Sequence, residues 1–399
     1  MSTPVGAIVA AKDWTLMVFM SGRNNLASFT SQDINRLEQA GSGQNVNVVV
    51  QVATLDEGSG ATRYHIVKDE DPKLVASKPI QIKEVDMGSK AALLDFAKWS
   101  VKNYPAQKYA LVIWGHGFGW TDSTKGNEGK QAVSPDMATG NSLSNKELAS
   151  VLGSVSKAIG KPLDILATDA CGMQMLSVVA ELKKTVKIVL GSEDVVPADF
   201  GFSYDAIVKF LEDNAAASPE ALAKFISEEY RNSHPEHIGV SAVNTAEVAG
   251  FIKVLNVWLD AVVATGKHGD ISESVSLLPG LYEYSNASDM TSNPMSKDIF
   301  QLVEAVTDAL KSVKAASPGL KAAAKAVMGY HSKVIISNSQ GDLTGLAEYV
   351  PKELYNSAYD ELFFSRASRW DDFVKWLLDS EYEYPKTPVP DDVKHRRGS

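Results

Sequence analysis

A single cysteine and one glycine-flanked histidine are the residues of this sequence best suited to nucleophilic chemistry. Cys171 follows the apolar segment Leu163–Thr168, and His116 follows the apolar segment Lys108–Trp114. A free thiol is mostly protonated at neutral pH, so it needs a nearby imidazole that shifts it toward thiolate and later protonates the leaving group. The pair therefore indicates acyl transfer, provided that the fold brings the two side chains together.

Both side chains come just after a predicted strand, which places them at one edge of a sheet. In open α/β sheets, ligands bind beyond the carboxyl ends of the strands, where the connecting loops converge. Glycines on both sides of His116 let the backbone approach a substrate carbonyl closely. The N–H of Gly117, together with that of Cys171 at a helix start, is then a candidate oxyanion hole.

Strands and helices that alternate up to Leu190 predict the sheet that holds these residues. The predicted strands are Trp14–Met20, Val46–Ala53, Lys108–Trp114, Leu163–Thr168 and Val186–Leu190, with an edge strand at Arg63–Lys68. The predicted helices are Phe29–Gln39, Lys90–Lys102, Lys146–Ile159 and Met173–Lys184. This order is typical of an α/β fold with a mostly parallel central sheet and helices on both faces.

The rest of the chain defines the domain organisation. Thr121–Asn145 is polar and has no helical or strand period, and a loop of this length is generally functional or disordered. We expect an α/β domain over residues 12–245 and a mainly helical part over 246–382 packed on it. Strands within 333–350 could join the sheet, and residues 383–399 are predicted to form a tail.

Composition excludes some classes of protein. The formal net charge is −10, with 49 acidic and 39 basic residues, whereas a general nucleic-acid binder usually has a basic face. One cysteine excludes an intramolecular disulfide. No apolar run approaches the roughly 18 residues of a membrane span. Met1–Ala11 has no signal-peptide pattern, so we expect either an exported protein whose signal is absent from this sequence or a cytoplasmic one.

Two other patterns are interpreted as structural. Gly115, Gly117 and Gly119 follow a strand like a dinucleotide-binding loop, but the third glycine is one residue early and a polar loop replaces the helix. His234 and His237 flank a proline and lack a matching third ligand, so a surface turn is favoured over a metal site.

The sequence resembles the clostripain family of cysteine peptidases, which is related in fold to caspases, legumains and gingipains. The resemblance covers nearly the whole chain and rests on Trp14–Gly22, His116–Trp120, Asp169–Met173, Gly191–Glu193, Pro197–Gly201, Gly345–Pro351 and Ser365–Phe373. It implies a caspase-like sandwich and a Cys–His dyad formed by Cys171 and His116. Two departures are Gly172, where larger apolar residues are usual, and the altered loop Val195–Phe202.

The resemblance also implies an acidic S1 pocket that selects Arg or Lys in polypeptide substrates. Its first acid is Asp169, two residues before the cysteine. The second comes from the loop after the next strand, where Asp199 is the first choice and Asp194 the alternative. A buried carboxylate that accepts a guanidinium bidentately gives strong selection. Asp169 could equally cap the helix that follows it.

Activation and partners are likewise expectations from the resemblance. Family members are often cut after a basic residue between the histidine and the cysteine, which makes Lys125 and Lys130 candidate processing sites. No organic cofactor is implied, no metal ligands are assigned, and calcium stays open because no dense Asp/Asn/Gly loop is present. The alternative function is a latent or inactive module of the same fold that binds peptides or proteins.

Overall fold

Strands and helices alternate along the chain. The computed structural model describes residues 10–55, 58–121, 132–197, 199, 201–235, 239–286, 289–311 and 318–385. Its strands are β1 Lys12–Gly22, β2 Val46–Thr54, β3 Ala61–His65, β4 Ile80–Ile82, β5 Ala106–Trp114, β6 Val133–Asp136, β7 Asn141–Leu143, β8 Leu163–Asp169, β9 Val186–Gly191, β10 Ser241–Asn244, β11 Leu281–Asn286, β12 Asp289–Asp298, β13 Ile335–Asn338 and β14 Ala347–Tyr349. Its helices are α1 Ala27–Ala40, α2 Lys90–Asn103, α3 Asn145–Ile159, α4 Leu176–Leu182, α5 Tyr204–Asp213, α6 Pro219–Ser233, α7 Val248–Val263, α8 His268–Ser276, α9 Ile299–Ala309, α10 Pro318–Val334, α11 Phe363–Ala367 and α12 Trp370–Leu378. Within these ranges, none of the helices is long and apolar enough to cross a membrane.

The central sheet of the described chain contains nine strands in the order β13-β10-β9-β8-β5-β1-β2-β3-β4. Strands β9, β8, β5, β1 and β2 are parallel to one another, whereas β10 and β3 flank them in antiparallel pairing. Parallel strands are covered on both faces and need nearly continuous apolar sequence. Accordingly, β1 is buried without interruption from Trp14 to Gly22, and the predicted mostly parallel sheet is confirmed.

Successive side chains of each strand enter two different cores, because strand residues alternate between the faces of a sheet. Leu16, Val18 and Met20 of β1 belong to the core that also contains residues of α1, α5 and α6. Met17 and Phe19 belong to the opposite core, with residues of α2, α3, α4 and α7. The sheet is therefore the middle layer between two layers of helices.

Helix boundaries near the site follow from local capping. The Ser144 hydroxyl accepts the N–H of Glu147 at 3.2 Å, and the Glu147 carboxylate accepts the N–H of Ser144 at 3.1 Å. This reciprocal pair fixes the start of α3. The helix ends at Gly160, whose φ of 75° is the left-handed conformation favoured by glycine. The predicted helix Lys146–Ile159 is close to this range.

The structure differs from the sequence-based elements in the polar stretch and in one of the late strands. The polar stretch 121–145, predicted to lack strands, contains the two-stranded hairpin of β6 and β7. Of the late strands, β13 joins the central sheet beside β10. In contrast, β14 joins β11 and β12 in a separate antiparallel sheet. The division at residue 245 stays a prediction, and residues 386–399 of the predicted tail lie outside the described residues.

A buried carboxylate links β14 to α4. Glu348 is fully buried, and its carboxylate accepts the N–H of Ser177 at 2.5 Å and the hydroxyl of Tyr359 at 2.8 Å. Burial raises the pKa of Glu348 to about 7, although these hydrogen bonds act in the opposite direction. Desolvation disfavours the charged form of a carboxyl group. Because burial outweighs the hydrogen bonds, the folded state is favoured most when this group is protonated.

We expect the stability of the protein to fall between pH 5 and pH 8 partly through Glu348. Its pKa is about 7 when folded and near its ordinary 4.5 when unfolded, so in this window the folded state binds more protons and loses stability as pH rises. The contribution is on the order of 2 kcal/mol. Urea unfolding at both pH values measures it. Between pH 5 and pH 8, the free energy of unfolding should fall by about 2 kcal/mol more in the wild type than in Glu348→Gln. The exposed Glu304→Gln variant should behave like the wild type. An equal fall in all three proteins would contradict the assignment.

Candidate active site

Strands β5 and β8 place the two reactive residues at the same edge of the sheet. The strands are neighbours and parallel, with Trp114 opposite Asp169. The N–H of Gly115 bonds the carbonyl of Asp169 at 3.2 Å and continues the ladder by one residue. His116 and Cys171 then lie at equivalent positions, each two residues beyond its strand. The structure thus brings the two predicted segments together.

The two loops beyond these strands are in direct contact. A Cβ atom added to Gly117 would lie 2.6 Å from the carbonyl oxygen of Cys171 and 2.8 Å from a side-chain carbon of Met173. Real side chains do not tolerate such distances, so only glycine permits this approach. At Gly119, φ is +64° and an added Cβ would lie 2.5 Å from the sulfur of Met175. The glycines around His116 therefore serve the packing of one loop on the other.

His116 is positioned by side-chain and backbone contacts. Its Nε2 lies 2.7 Å from the amide oxygen of Asn25, an acceptor that matches the tautomer protonated at Nε2. The carbonyl of His116 accepts the N–H of Ser134 at 3.1 Å, beside an isolated bridge between Gly117 and Val133. Partial burial lowers the pKa of His116 below its ordinary 6.5. The imidazole is therefore neutral at pH 7.

Cys171 lies against the loop that follows β9. Its Sγ accepts the N–H of Val196 at 3.3 Å and lies 3.6 Å from the carbonyl of the same residue. Burial raises the pKa of Cys171, the negative charges of Asp194 and Asp169 raise it further, and the Val196 N–H acts in the opposite direction. Sequence reasoning expected an imidazole that favours thiolate. Burial and the nearby acids thus disfavour the thiolate, and the expected shift toward thiolate by His116 stays a prediction.

The start of the helix after Cys171 was predicted wrongly. Helix α4 begins at Leu176 rather than Met173, so the N–H of Cys171 is not at a helix N-terminus. Gly172 adopts a φ of +62°, which turns the chain away from helix. Its N–H bonds the carbonyl of Asp194 at 3.0 Å. The oxyanion hole of Gly117 and Cys171 stays a prediction that now rests on loop backbone alone.

Asp169 is almost completely buried two residues before the cysteine. One oxygen, Oδ2, accepts both the N–H of Phe202 at 3.1 Å and the hydroxyl of Tyr204 at 2.8 Å. Burial raises the pKa of Asp169 to about 7, and the negative charge of Asp33 contributes in the same direction. The alternative role as a helix cap is wrong, because both donors belong to the segment Phe202–Tyr204 and α4 begins elsewhere.

Gly201 and Asp33 shape the surroundings of this carboxylate. A Cβ atom added to Gly201 would lie 2.8 Å from Oδ2 of Asp169, so the loop runs directly over the carboxylate. Asp33 of α1 is buried, accepts the indole N–H of Trp114 at 2.8 Å and pairs with Arg36 at 2.9 Å. Two acids thus lie behind the cleft on the same face of the sheet.

Tyr230 of α6 was missed by sequence reasoning. The residue is 1% exposed, and its hydroxyl has no hydrogen-bond partner among the described residues. Its ring contacts that of Phe202 with 6.3 Å between centroids. Burial raises the pKa of Tyr230 well above 10, and the charges of Asp169 and Cys171 raise it further. An aromatic residue on an amphipathic helix is typical of a core, so its spacing carries no sign of a cleft position.

The remaining predicted residues are the two candidate outer acids of the S1 pocket and the two candidate processing sites. Asp194 lies in the loop that follows β9 and contacts Cys171, and its carboxylate accepts the N–H of Val195 at 2.8 Å. Asp199 is exposed, and no hydrogen bond or ion pair joins it to Asp169 in the described chain. Lys125 and Lys130 lie outside the described residues. Within the described ranges, no group of three or more His, Cys, Asp or Glu residues could hold a metal ion.

A model of the clostripain family of peptidases matches residues 18–376. The chain belongs to the clostripain family. It is therefore a cysteine peptidase by family, as the sequence resemblance implied. A comparison with curated protein sequences gives no match.

Solved structures of similar fold are peptidases of this family. An inactive zymogen of a C11 protease from Parabacteroides distasonis has a TM-score of 0.65 at 17% identity, over 90% of this chain and 99% of that one. A secreted C11 cysteine protease from Bacteroides thetaiotaomicron, in complex with an irreversible peptide inhibitor, has a TM-score of 0.67 at 20% identity, over 90% and 99%. A structure of the B. thetaiotaomicron protease iotapain gives 0.66 at 15% identity, over 90% and 100%. The predicted fold class is confirmed by these likenesses.

We expect Gly117→Ala to lower the free energy of unfolding by about 2 kcal/mol, because the added methyl group forces the His116 and Cys171 loops apart. Urea unfolding followed by tryptophan fluorescence measures the change. Gly329→Ala in α10 is the control, since an added Cβ there meets nothing within 4 Å and should leave stability equal or slightly higher. If both variants were as stable as wild type, the close contact of the two loops would be refuted.

Proposed function

We propose that this clostripain-family peptidase is an endopeptidase that cleaves polypeptides after Arg or Lys through a dyad of Cys171 and His116. The observation that carries the proposal is the equivalent placement of the two residues beyond neighbouring parallel strands. The buried carboxylate of Asp169 lies two residues before the nucleophile, which supports a basic P1 side chain. Endopeptidase action on long chains fits a family that acts on polypeptides.

The first half of the reaction forms a thioester. The sulfur of Cys171 attacks the scissile carbonyl carbon while its proton passes to the imidazole of His116. The resulting oxyanion accepts hydrogen bonds from backbone N–H groups, for which Gly117 and Cys171 are the candidates. The intermediate collapses as the C–N bond breaks, and His116 gives its proton to the leaving amine.

The second half hydrolyses the thioester. His116 takes a proton from water as the water oxygen attacks the carbonyl carbon. It gives this proton to the sulfur as the C–S bond breaks, which releases the carboxylic acid and regenerates the thiol. Asn25 supports both halves by fixing the ring through Nε2, which leaves Nδ1 as the nitrogen that exchanges protons with sulfur and water. This transfer starts from a thiol that still holds its proton and a neutral imidazole that can accept it, so neither group has to change its protonation state beforehand.

The proposed S1 site consists of Asp169 and the polar groups around it. Oδ2 of Asp169 is already held by Phe202 and Tyr204, so Oδ1 is the oxygen that remains for the P1 cation. The unpartnered hydroxyl of Tyr230 is a second acceptor in the same region. Asp199 is the proposed outer acid of the pocket, with Asp194 as the alternative. An approaching cation stabilises the ionised form of Asp169 and replaces part of its lost hydration.

Activation and location extend the proposal. We propose self-cleavage after Lys125 or Lys130 as the activating step, which fits the existence of an inactive zymogen in the P. distasonis relative. Export is proposed because a B. thetaiotaomicron relative is secreted. Calcium dependence stays open.

Hydrolysis of matched fluorogenic peptides ending in Arg, Lys, Asp or Leu tests the reaction, with wild type and Cys171→Ala side by side. We expect kcat/KM for Arg or Lys to exceed that for Leu by at least about 100-fold, since two hydrogen bonds to a charged group are involved. Cys171→Ala should lower it by more than about a thousandfold. Equal cleavage of all four peptides would contradict the basic preference. No turnover from either protein, before and after cleavage between residues 121 and 145, would favour the latent binding module.

The raised pKa of Asp169 leads us to expect a pH dependence of kcat/KM that is specific to substrates with a charged P1 side chain. Because its pKa is about 7 in the free protein, the carboxylate becomes protonated as pH falls below 7 and no longer attracts a cation. We expect the ratio of kcat/KM for Arg and for uncharged citrulline peptides to fall about tenfold between pH 8 and pH 6. Titration of His116 and Cys171 cancels in this ratio. A constant ratio, or the same fall in Asp169→Asn, would refute the role of Asp169.

A further inference from the structure

A polar cavity lies beside the central sheet, apart from the Cys171 cleft. Its volume is about 540 Å³, and it is formed between helix α6 and the outermost strand β13. This volume is within the range of ligand sites, which is roughly 300–1,000 Å³. Lys224 and Arg231 line it from the helix, and Ser337 and Asn338 line it from the strand. None of these residues belongs to the proposed catalytic machinery.

The cavity is a groove between α6 and β13, and hydroxyl groups at its base link the helix to the strand. Ser227 of α6 and Ser337 of β13 share a hydrogen bond of 2.8 Å, and Ser227 also donates to the carbonyl of Ala223 at 3.0 Å. Ser339 donates to the carbonyl of Val240 at 2.9 Å and accepts its N–H at 3.0 Å. Because the helix and the strand are tied together in this way, the groove between them has a defined shape.

The walls of the groove carry unpaired positive charge. Lys224 and Arg231 are seven residues apart, two helical turns, and so lie on one face of α6. Both are exposed, and neither forms an ion pair within the described chain. Glu228 is the one acid among the lining residues. In a chain of net charge −10, a groove with an excess of positive charge favours an anionic ligand.

The strand side of the groove is an open sheet edge. β13 pairs with β10 on one side and is the last strand of the sheet. The N–H of Ser339 points to β10, where it bonds Val240 at 3.0 Å. Since backbone groups alternate in an antiparallel pair, the N–H and C=O of Asn338 point outward. The register shifts near Ala242, which leaves Ile336 opposite no residue of β10. An edge strand offers unpaired N–H and C=O groups to an added strand, and the bulge and the four-residue length of β13 restrict such pairing to the segment around Asn338.

The open edge lies at the same end of the central sheet as the candidate active site, where the parallel strands have their carboxyl ends. Asn338 pairs with Ser241, which pairs with Gly191 at the carboxyl end of β9. Three strand spacings, about 14 Å in all, separate β13 from β8, which leads to Cys171. Helix α6 also carries Tyr230, whose ring contacts Phe202 beside Asp169. A polypeptide that leaves the cleft along this helix reaches the groove within about five residues.

We propose that the groove between α6 and β13 is a second substrate-binding site, an exosite, for an extended acidic segment of the polypeptide being cleaved. The segment adds to β13 as a further strand, and its carboxylates pair with Lys224 and Arg231. The proposal rests on the proposed endopeptidase function but is independent of the preference for Arg or Lys. Its effect is to favour long substrates with acidic segments over short peptides.

Direct binding tests the site without any turnover. The probe is a fluorescein-labelled ten-residue peptide of alternating Glu and Val, and the protein is full-length Cys171→Ala. In fluorescence anisotropy, adding Lys224→Glu and Arg231→Glu should weaken binding at least about tenfold, since like charges then face each other. The control pair, Lys98→Glu and Lys102→Glu, changes net charge equally on exposed positions of α2 and should leave binding unchanged. A peptide with alternate amides N-methylated should bind at least about tenfold more weakly, because it cannot pair with the strand.

Other results overturn the proposal. The proposal is overturned if the wild-type surface does not bind the probe, or if both double variants lose the same affinity for it. It is also overturned if the N-methylated peptide binds as tightly as the unmodified probe. A wild-type dimer that dissociates in Lys224→Glu/Arg231→Glu by sedimentation would overturn it as well, because the edge would then belong to a second copy. With otherwise wild-type protein, that double variant should raise KM for a long acidic substrate and leave hydrolysis of short peptides unchanged. Probe binding without hydrolysis of any peptide would refute the enzyme function alone.

Discussion

The parallel register of β5 and β8 is the constraint on which the rest of the site depends. Trp114 lies opposite Asp169, so both chains leave the sheet at the same level and both reactive residues follow two positions later. A shift of one residue would turn every side chain of the strand to the other face. Residues 132–134 then hold the His116 loop by hydrogen bonds, and residues 192–196 hold the Cys171 loop in the same way. The relative placement of His116 and Cys171 is thus determined first by the sheet and then by the loops.

Buried acids dominate the electrostatics around this edge. The pKa values of Asp33, Asp169 and Glu348 are all raised, with desolvation as the first cause in each case. Arg36 acts on Asp169 in the opposite direction, but more weakly. Burial also raises the pKa of Cys171, and the charges of Asp194 and Asp169 raise it further. Under the proposed preference for Arg or Lys, a cationic side chain bound beside Asp169 would offset the charge of this carboxylate, which contributes to the raised pKa of Cys171.

The parts of the fold that the sequence predicted are those determined by local pattern. Continuous apolar runs such as Trp14–Met20 identify buried parallel strands, and the Ser144 capping pair marks the start of a helix. The glycines around His116 marked it as unusual, although Gly117 and Gly119 mainly contact the Cys171 loop and Gly115 contacts Ser21 of β1. Features that depend on distant residues were not predictable. The partners of Asp169 are more than 30 residues away, the position of Tyr230 depends on how α6 packs, and the strand pairing of β14 depends on β12.

The link between Glu348 and α4 determines when the cysteine loop is completed. The N–H of Ser177 finds its acceptor 171 residues later in the chain, and the carbonyl of Gln174 accepts the N–H of Ala347 at 3.1 Å. During synthesis, the β5–β8 edge emerges from the ribosome long before these supports exist. Because a chain is made at roughly 5–20 residues per second, the loop after Cys171 waits on the order of ten seconds for its last hydrogen-bond partners. The loop after Cys171 therefore gains its last hydrogen-bond partners only when nearly all of the chain has been made.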